Sequence, residues 1–147
     1  MNGLAVHELT ALVGWAESFL VVEHMGGPAG FVLALEGPGV PYESLNYRWF
    51  SSRFDAFLYV DRIVVDADAR SSGIGRALYG ALAARATGRS PRICAEVNVR
   101  PANTASQRLH ERFGFRPVGQ QDTEGGAKRV ELLELLLDEE AGHADGL

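Results

Sequence analysis

The chain has one cysteine, one lysine and no long apolar run, and each scarcity excludes something. A lone Cys94 cannot build a disulfide framework and offers too few thiols for a cysteine zinc site, so secreted scaffolds and zinc fingers drop out. The residue reads as a buried core thiol. No segment approaches the roughly 20 apolar residues a membrane-spanning helix needs, and no basic stretch leads into an apolar one at the N-terminus. A cytoplasmic chain with no membrane contact is expected. Basic charge is almost all arginine, with Lys128 the only lysine, and the arginines are interspersed with acids at a net charge of -5. That pattern lacks the basic stripe of a nucleic-acid binder, and no metal is called for. What remains is 147 residues, 46% of them hydrophobic, of single-domain size and able to bury roughly 68–70% of the unfolded surface.

Periodicity and turn residues divide the chain. Leu4, Leu9, Leu12 and Val13 recur at roughly helical spacing, which predicts an N-terminal helix over residues 1–16. "SFLVVEH" and "GFVLALEG" flank "MGGPA" as a hairpin. Residues 37–54, with turn formers first and aromatics after, read as a long loop with one helical turn. "AFLYVDRIVVD" is a strand, residues 73–86 a helix stopped by Gly88 and Pro91, and "RICAEVNV" a strand. "NTASQRLHERF" is a helix with Asn103 as N-cap and Gly114 beyond its C-terminus. "FRPVGQQ" and "RVELLELLL" close as a hairpin, and residues 140–147 form a flexible tail. The strand-helix-strand segment implies one parallel pair in a mostly antiparallel sheet of about six strands, an α+β fold layered α/β/α.

"VDADARSSGIGRALYGAL" puts Gly73 and Gly75 where a strand turns into a helix. Free N–H groups and the macrodipole make such a helix start an anion site, and glycine lets a ligand approach the backbone. Leu78 stands where a dinucleotide fingerprint needs its third glycine, and no G-x-x-x-x-G-K-[ST] occurs.

Arg70, Gly73 and Gly75 do match R-x-x-G-x-G directly after "RIVVD", and this resembles motif A of the GNAT superfamily of N-acetyltransferases. "NTASQRLHERFGF" looks like that family's motif B, and the resemblance covers roughly residues 17–137. It implies acetyl-CoA as co-substrate. The main chain of Ile63, Val64 and Val65 would meet its pantetheine arm, Arg70, Ser71, Ser72, Gly73, Ile74, Gly75 and Arg76 would wrap its phosphates, and Asn103 and Ser106 would lie nearby. Family members usually open with a further strand and helix, which this chain lacks on its sequence. An uncovered sheet edge and a homodimer are therefore expected.

Acetyl transfer to an amine needs a neutral nucleophile, so a proton must leave it, and the departing thiolate must gain one. Glu96, in "CAEVNV", resembles a glutamate that serves as base in some members. Asp61, which shares a face with Tyr59 by alternation, is the reserve base, and water a third choice. His110 stands where many members carry an acidic tyrosine, so an imidazolium there is the candidate acid. Asn98 points the same way as Glu96, toward substrate or the pantetheine arm. Tyr42, Tyr47, Trp49 and Phe50 lie on the expected lid, and Tyr47, Trp49, Tyr59 and Asp61 are the expected substrate contacts. The resulting expectation is an N-acetyltransferase acting on a small-molecule or peptide amine. The alternative is a catalytically silent acyl-CoA-binding module.

Overall fold

Met25 and Gly26, with φ of 55° and 85°, form the two-residue turn between β2 (Ala16–His24) and β3 (Gly27–Gly37). Positive φ at both central positions matches the twist of the flanking strands. The computed structural model describes residues 4–8, 16–67 and 73–137. After β3 come α1 (Leu45–Ser51), β4 (Phe57–Val65), α2 (Ile74–Ala86), β5 (Arg92–Arg100), α3 (Thr104–Phe113), β6 (Arg116–Thr123) and β7 (Lys128–Leu136).

With β1 (Leu4–Glu8), seven strands form one sheet in the order β1-β2-β3-β4-β5-β7-β6. All neighbours are antiparallel except β4 and β5. Alternation along the strands sorts side chains into two cores. Leu58, Val60, Ile93, Ala95 and Val97 pack with Ile74, Leu78, Tyr79 and Leu82 of α2. Phe57, Tyr59 and Cys94 face the other way, with Tyr47 and Phe50 of α1. The α/β/α layering and the parallel pair stand as expected, and Cys94 is fully buried.

The N-terminal expectation needs correction. Leu4–Glu8 is a strand, paired in register with Leu20–His24 of β2. Five residues are too few to separate a period of 2 from 3.6, and the available β2 edge decides the outcome. The expected missing strand is thus present within this chain, and the uncovered β2 edge that argued for a dimer is not there. Residues 9–15 and the tail at 140–147 lie outside the described residues.

Candidate active site

The parallel ladder of β4 and β5 consists of two pairs, Leu58↔Ile93 and Tyr59↔Cys94. Beyond them β4 follows β3 to Val65, and β5 follows β7 to Arg100. The strands splay, so the β4 edge past Tyr59 has no ladder partner on β5. A bulge accompanies the splay: Ala34 pairs with Val60 and Leu33 with Arg62, which leaves Asp61 as an extra residue. The extra residue reverses the alternation. Upstream, odd positions Phe57 and Tyr59 face α1; downstream, Ile63 and Val65 pack on the α2 side.

Two adjoining hollows of about 210 and 220 Å³ occupy the splay. The first runs along the helix face between Ile63, Val65, Gly75, Asn103, Ser106 and Leu109. The second lies between the strands, with Asp61 and Glu96 together with Tyr79, Ser106 and His110 in its wall. Ile63 and Ser106 belong to both.

The groove ends at the start of α2. Its N-cap, Gly73, has φ 77° and makes no side-chain cap bond, which leaves the first-turn amides without a side-chain acceptor there. Ile74 is buried in the core and Arg76 is exposed. Gly75 serves packing as well: a Cβ there would stand 2.7 Å from Leu109 Cδ2, so its bare backbone admits α3 as well as opening the groove. Arg70, Ser71 and Ser72 lie outside the described residues.

Asn103 caps α3 as expected, its Oδ1 accepting the Ser106 N–H at 3.1 Å. Its own N–H donates to the Asn98 carbonyl at 3.0 Å and ties the helix to the end of β5. The Asn98 side chain does not line either hollow. On α3, Leu109 and Phe113 pack on the core, whereas Ala105 is exposed in the groove wall.

Glu96 accepts a hydrogen bond from the Tyr59 hydroxyl at 2.9 Å. Burial pushes its carboxyl up to about 7, against the pull of that bond, and the nearby Asp61 charge pushes the same way as burial. Asp61 accepts from the Tyr42 hydroxyl, which brings the 38–44 loop onto the site. Burial, then that bond, holds the Tyr42 phenol up at about 12.

His110 is 2% exposed. Its Nδ1 lies 2.7 Å from the Ser106 carbonyl oxygen, which can only accept, so Nδ1 carries the ring proton. Nε2 is then a bare acceptor, and the Tyr79 hydroxyl, 2.6 Å away, donates to it. Burial lowers the imidazole pKa, opposed by the Ser106 bond. The ring is neutral at pH 7 with both nitrogens engaged, which corrects the expectation of an imidazolium donor. Burial, and after it the Glu96 charge, keeps the Tyr79 phenol protonated.

Of the expected substrate contacts, Asp61 lines the second hollow, whereas Tyr59 is buried and lines neither, meeting the site only through the hydroxyl it donates to Glu96. Tyr47 does not reach the site: it is 2% exposed, its hydroxyl donates to the Glu36 carbonyl at 2.8 Å, and it accepts from the Val40 N–H at 3.2 Å. Trp49 packs on Gly119 of β6 and under the Arg53 guanidinium. Both complete the aromatic core beneath the loop. Tyr79, in the wall of the second hollow, was missed, although a tyrosine on the apolar face of α2 needs a polar partner for its hydroxyl.

A family model described as the acetyltransferase (GNAT) family matches residues 4–115. Among solved structures, an N-acetyltransferase from Staphylococcus aureus is 25% identical with a TM-score of 0.59, over 82% of this chain and 68% of that one. Arabidopsis thaliana NAA60, solved in complex with acetyl-CoA, is 18% identical with a TM-score of 0.63, over 82% and 76%. The ribosomal-protein-S18-alanine N-acetyltransferase of Escherichia coli is 17% identical with a TM-score of 0.63, over 94% and 96%. No curated protein sequence matches. Among the described residues no helix is long and apolar enough to cross a membrane.

Proposed function

The chain belongs to the acetyltransferase (GNAT) family, and from that premise we propose that it is an acetyl-CoA-dependent N-acetyltransferase acting on a primary amine of a small molecule or peptide. The observation that carries the reading is Glu96: a carboxylate in the wall of the splay, held by a phenol and raised to about 7. A base with that value is half deprotonated at neutral pH and strong enough to matter there.

The groove suits the co-substrate on two grounds. The β4 edge at Ile63, Val64 and Val65 is free to pair with an extended amide arm, and the α2 start at Gly73, Ile74, Gly75 and Arg76 offers amides to phosphates, with Arg70, Ser71 and Ser72 just before it. Acetyl-CoA supplies the activated acetyl group. Glu96 takes the proton from the acceptor nitrogen as the C–N bond forms and the C–S bond breaks; the Asp61 side chain lies in the same wall and favours a cationic acceptor. On the helix face, the Tyr79 hydroxyl is held by His110. A free thiol ordinarily titrates near 8.5, so the departing thiolate takes its proton from solvent water at pH 7.

The test is free-thiol release from acetyl-CoA with ethanolamine, putrescine, glycinamide and a peptide with a free N-terminus. Acetylated amine and thiol in equal amounts are expected with at least one. Stabilisation by acetyl-CoA without turnover on any of them would contradict the reading and leave a binding module.

A further inference from the structure

We propose that Asp61 selects the acceptor by holding a second, non-reacting ammonium, so that the preferred substrate is a short aliphatic diamine rather than a monoamine or an amino acid. The inference rests on the reading of this hollow as the acetyl-transfer site with Glu96 as base, and adds the class of amine to it. The reacting nitrogen must be neutral when it attacks. A positive charge that persists through the reaction therefore sits on another group of the acceptor and needs a partner of its own.

Asp61 has the capacity to be that partner. It lies in the same wall as Glu96, at the bulge where Leu33 and Ala34 of β3 pair with Arg62 and Val60 of β4, and a bulge re-aims the side chain it carries. The Asp61 side chain is 17% exposed. Its Oδ1 accepts from the Tyr42 hydroxyl. Oδ2 has no hydrogen bond among the described residues, and Arg62 Nε stands 3.8 Å from it. An ionised carboxylate accepts at about four sites, so one hydroxyl leaves most of that capacity unused. The Arg62 side chain is 71% exposed, where solvent screens its charge. A mostly buried carboxylate held so lightly gains from a ligand cation.

The surrounding groups argue against other acceptors. Asp61, Glu96 and Arg62 are the charged side chains in the wall of the hollow; His110 is neutral, and the Tyr42 and Tyr79 phenols keep their protons. A carboxylate on the acceptor would meet two acids, and an alkyl tail would leave Asp61 as lightly held as before. Both acids share one hollow of about 220 Å³, which calls for a short spacer between the two nitrogens. The second ammonium is present in the ground and transition states alike, so its bond to Asp61 acts on KM rather than kcat.

The experiment compares putrescine with butylamine and 4-aminobutanoate, and 1,3-diaminopropane with propylamine, as acceptors for the whole protein with acetyl-CoA, by kcat/KM per amino group. At least one diamine is expected to exceed its monoamine by about tenfold or more, the worth of a hydrogen bond to a charged group, with the difference in KM, and 4-aminobutanoate to be the poorest acceptor. Asp61→Asn should raise KM for the diamine and bring the ratio of diamine to monoamine close to one. Equal kcat/KM for both diamines and their monoamines in the parent would overturn the proposal while leaving acetyl transfer and Glu96 in place, and that comparison needs no variant to fold. A ratio unchanged in folded Asp61→Asn, or a kcat lost alike on diamine and monoamine, would also overturn it. No acetyl transfer to any of these amines would overturn the underlying reading with it.

Discussion

Two glutamates mark the two ends of the β4–β5 pair. At the closed end, Glu134 of β7 lies opposite Cys94 and accepts from Arg92 Nε at 2.7 Å, with Arg116 on its other oxygen at 3.7 Å. Arg92 also donates to the Ala56 carbonyl and covers the Phe54 ring, which locks the base of the paired strands. At the open end, Glu96 is held by a phenol. Burial costs a carboxylate its hydration in both places. A guanidinium offsets that cost and yields a fastener; without one the carboxyl stays protonated to about pH 7 and can exchange protons with a ligand.

The comparison breaks first at Glu96. Glu96→Gln is expected to lower kcat by about 10²–10⁴-fold with the fold intact. Stability should carry the opposite sign. Between about pH 4.5 and 7 the folded protein keeps a Glu96 proton that the unfolded chain has lost, so the parent loses stability as pH rises through that window. The variant should therefore melt above the parent at pH 8 and close to it near pH 4.5, as paired melting curves will show.

Glu134→Ala should do the reverse. Removing one partner of a buried ion pair costs about 3–5 kcal/mol, roughly a 10 °C drop in Tm at this size. The kcat of the protein that remains folded should stay near the parent's when assayed well below that Tm. A loss of kcat matching that of Glu96→Gln would erase the distinction between the ends.

His110→Phe tests the helix side of the splay. It leaves the buried Tyr79 hydroxyl without its acceptor, at about 1–3 kcal/mol. Because His110 is neutral at pH 7, the midpoint of the acid limb of the rate profile should not move. The smallest effect on activity belongs to Tyr47→Phe, which loses the bonds to the Glu36 carbonyl and the Val40 N–H and about 1–2 kcal/mol of stability. Its KM for the acceptor amine should match the parent's; a large rise would return Tyr47 to the binding site.

The donor side was legible because local signals made it: Asn103 and Gly114 bound α3 where capping chemistry puts them, and Gly73 opens α2. The acceptor side was not. Its geometry depends on the extra residue at Asp61, which alternation carries straight through, and on the Tyr59–Glu96 bond, which only the finished sheet creates. Tyr47 and Trp49 misled for a related reason. Aromatic residues after a loop look available to a ligand until the fold shows an apolar layer that needs them. His110 lies in the wall of the second hollow, yet the partner of its Nε2, Tyr79, stands 31 positions earlier in the chain.

The most direct measurement is kcat/KM against pH from 5 to 9 with a weakly basic amine acceptor. Such an amine is already neutral at pH 5, so the protein alone supplies the titration. The expected profile climbs about tenfold per pH unit and levels off above about 7, where Glu96 is ionised. A profile flat from pH 5 to 8 would contradict Glu96 as the base and, with it, the open end of the strand pair as the reaction channel.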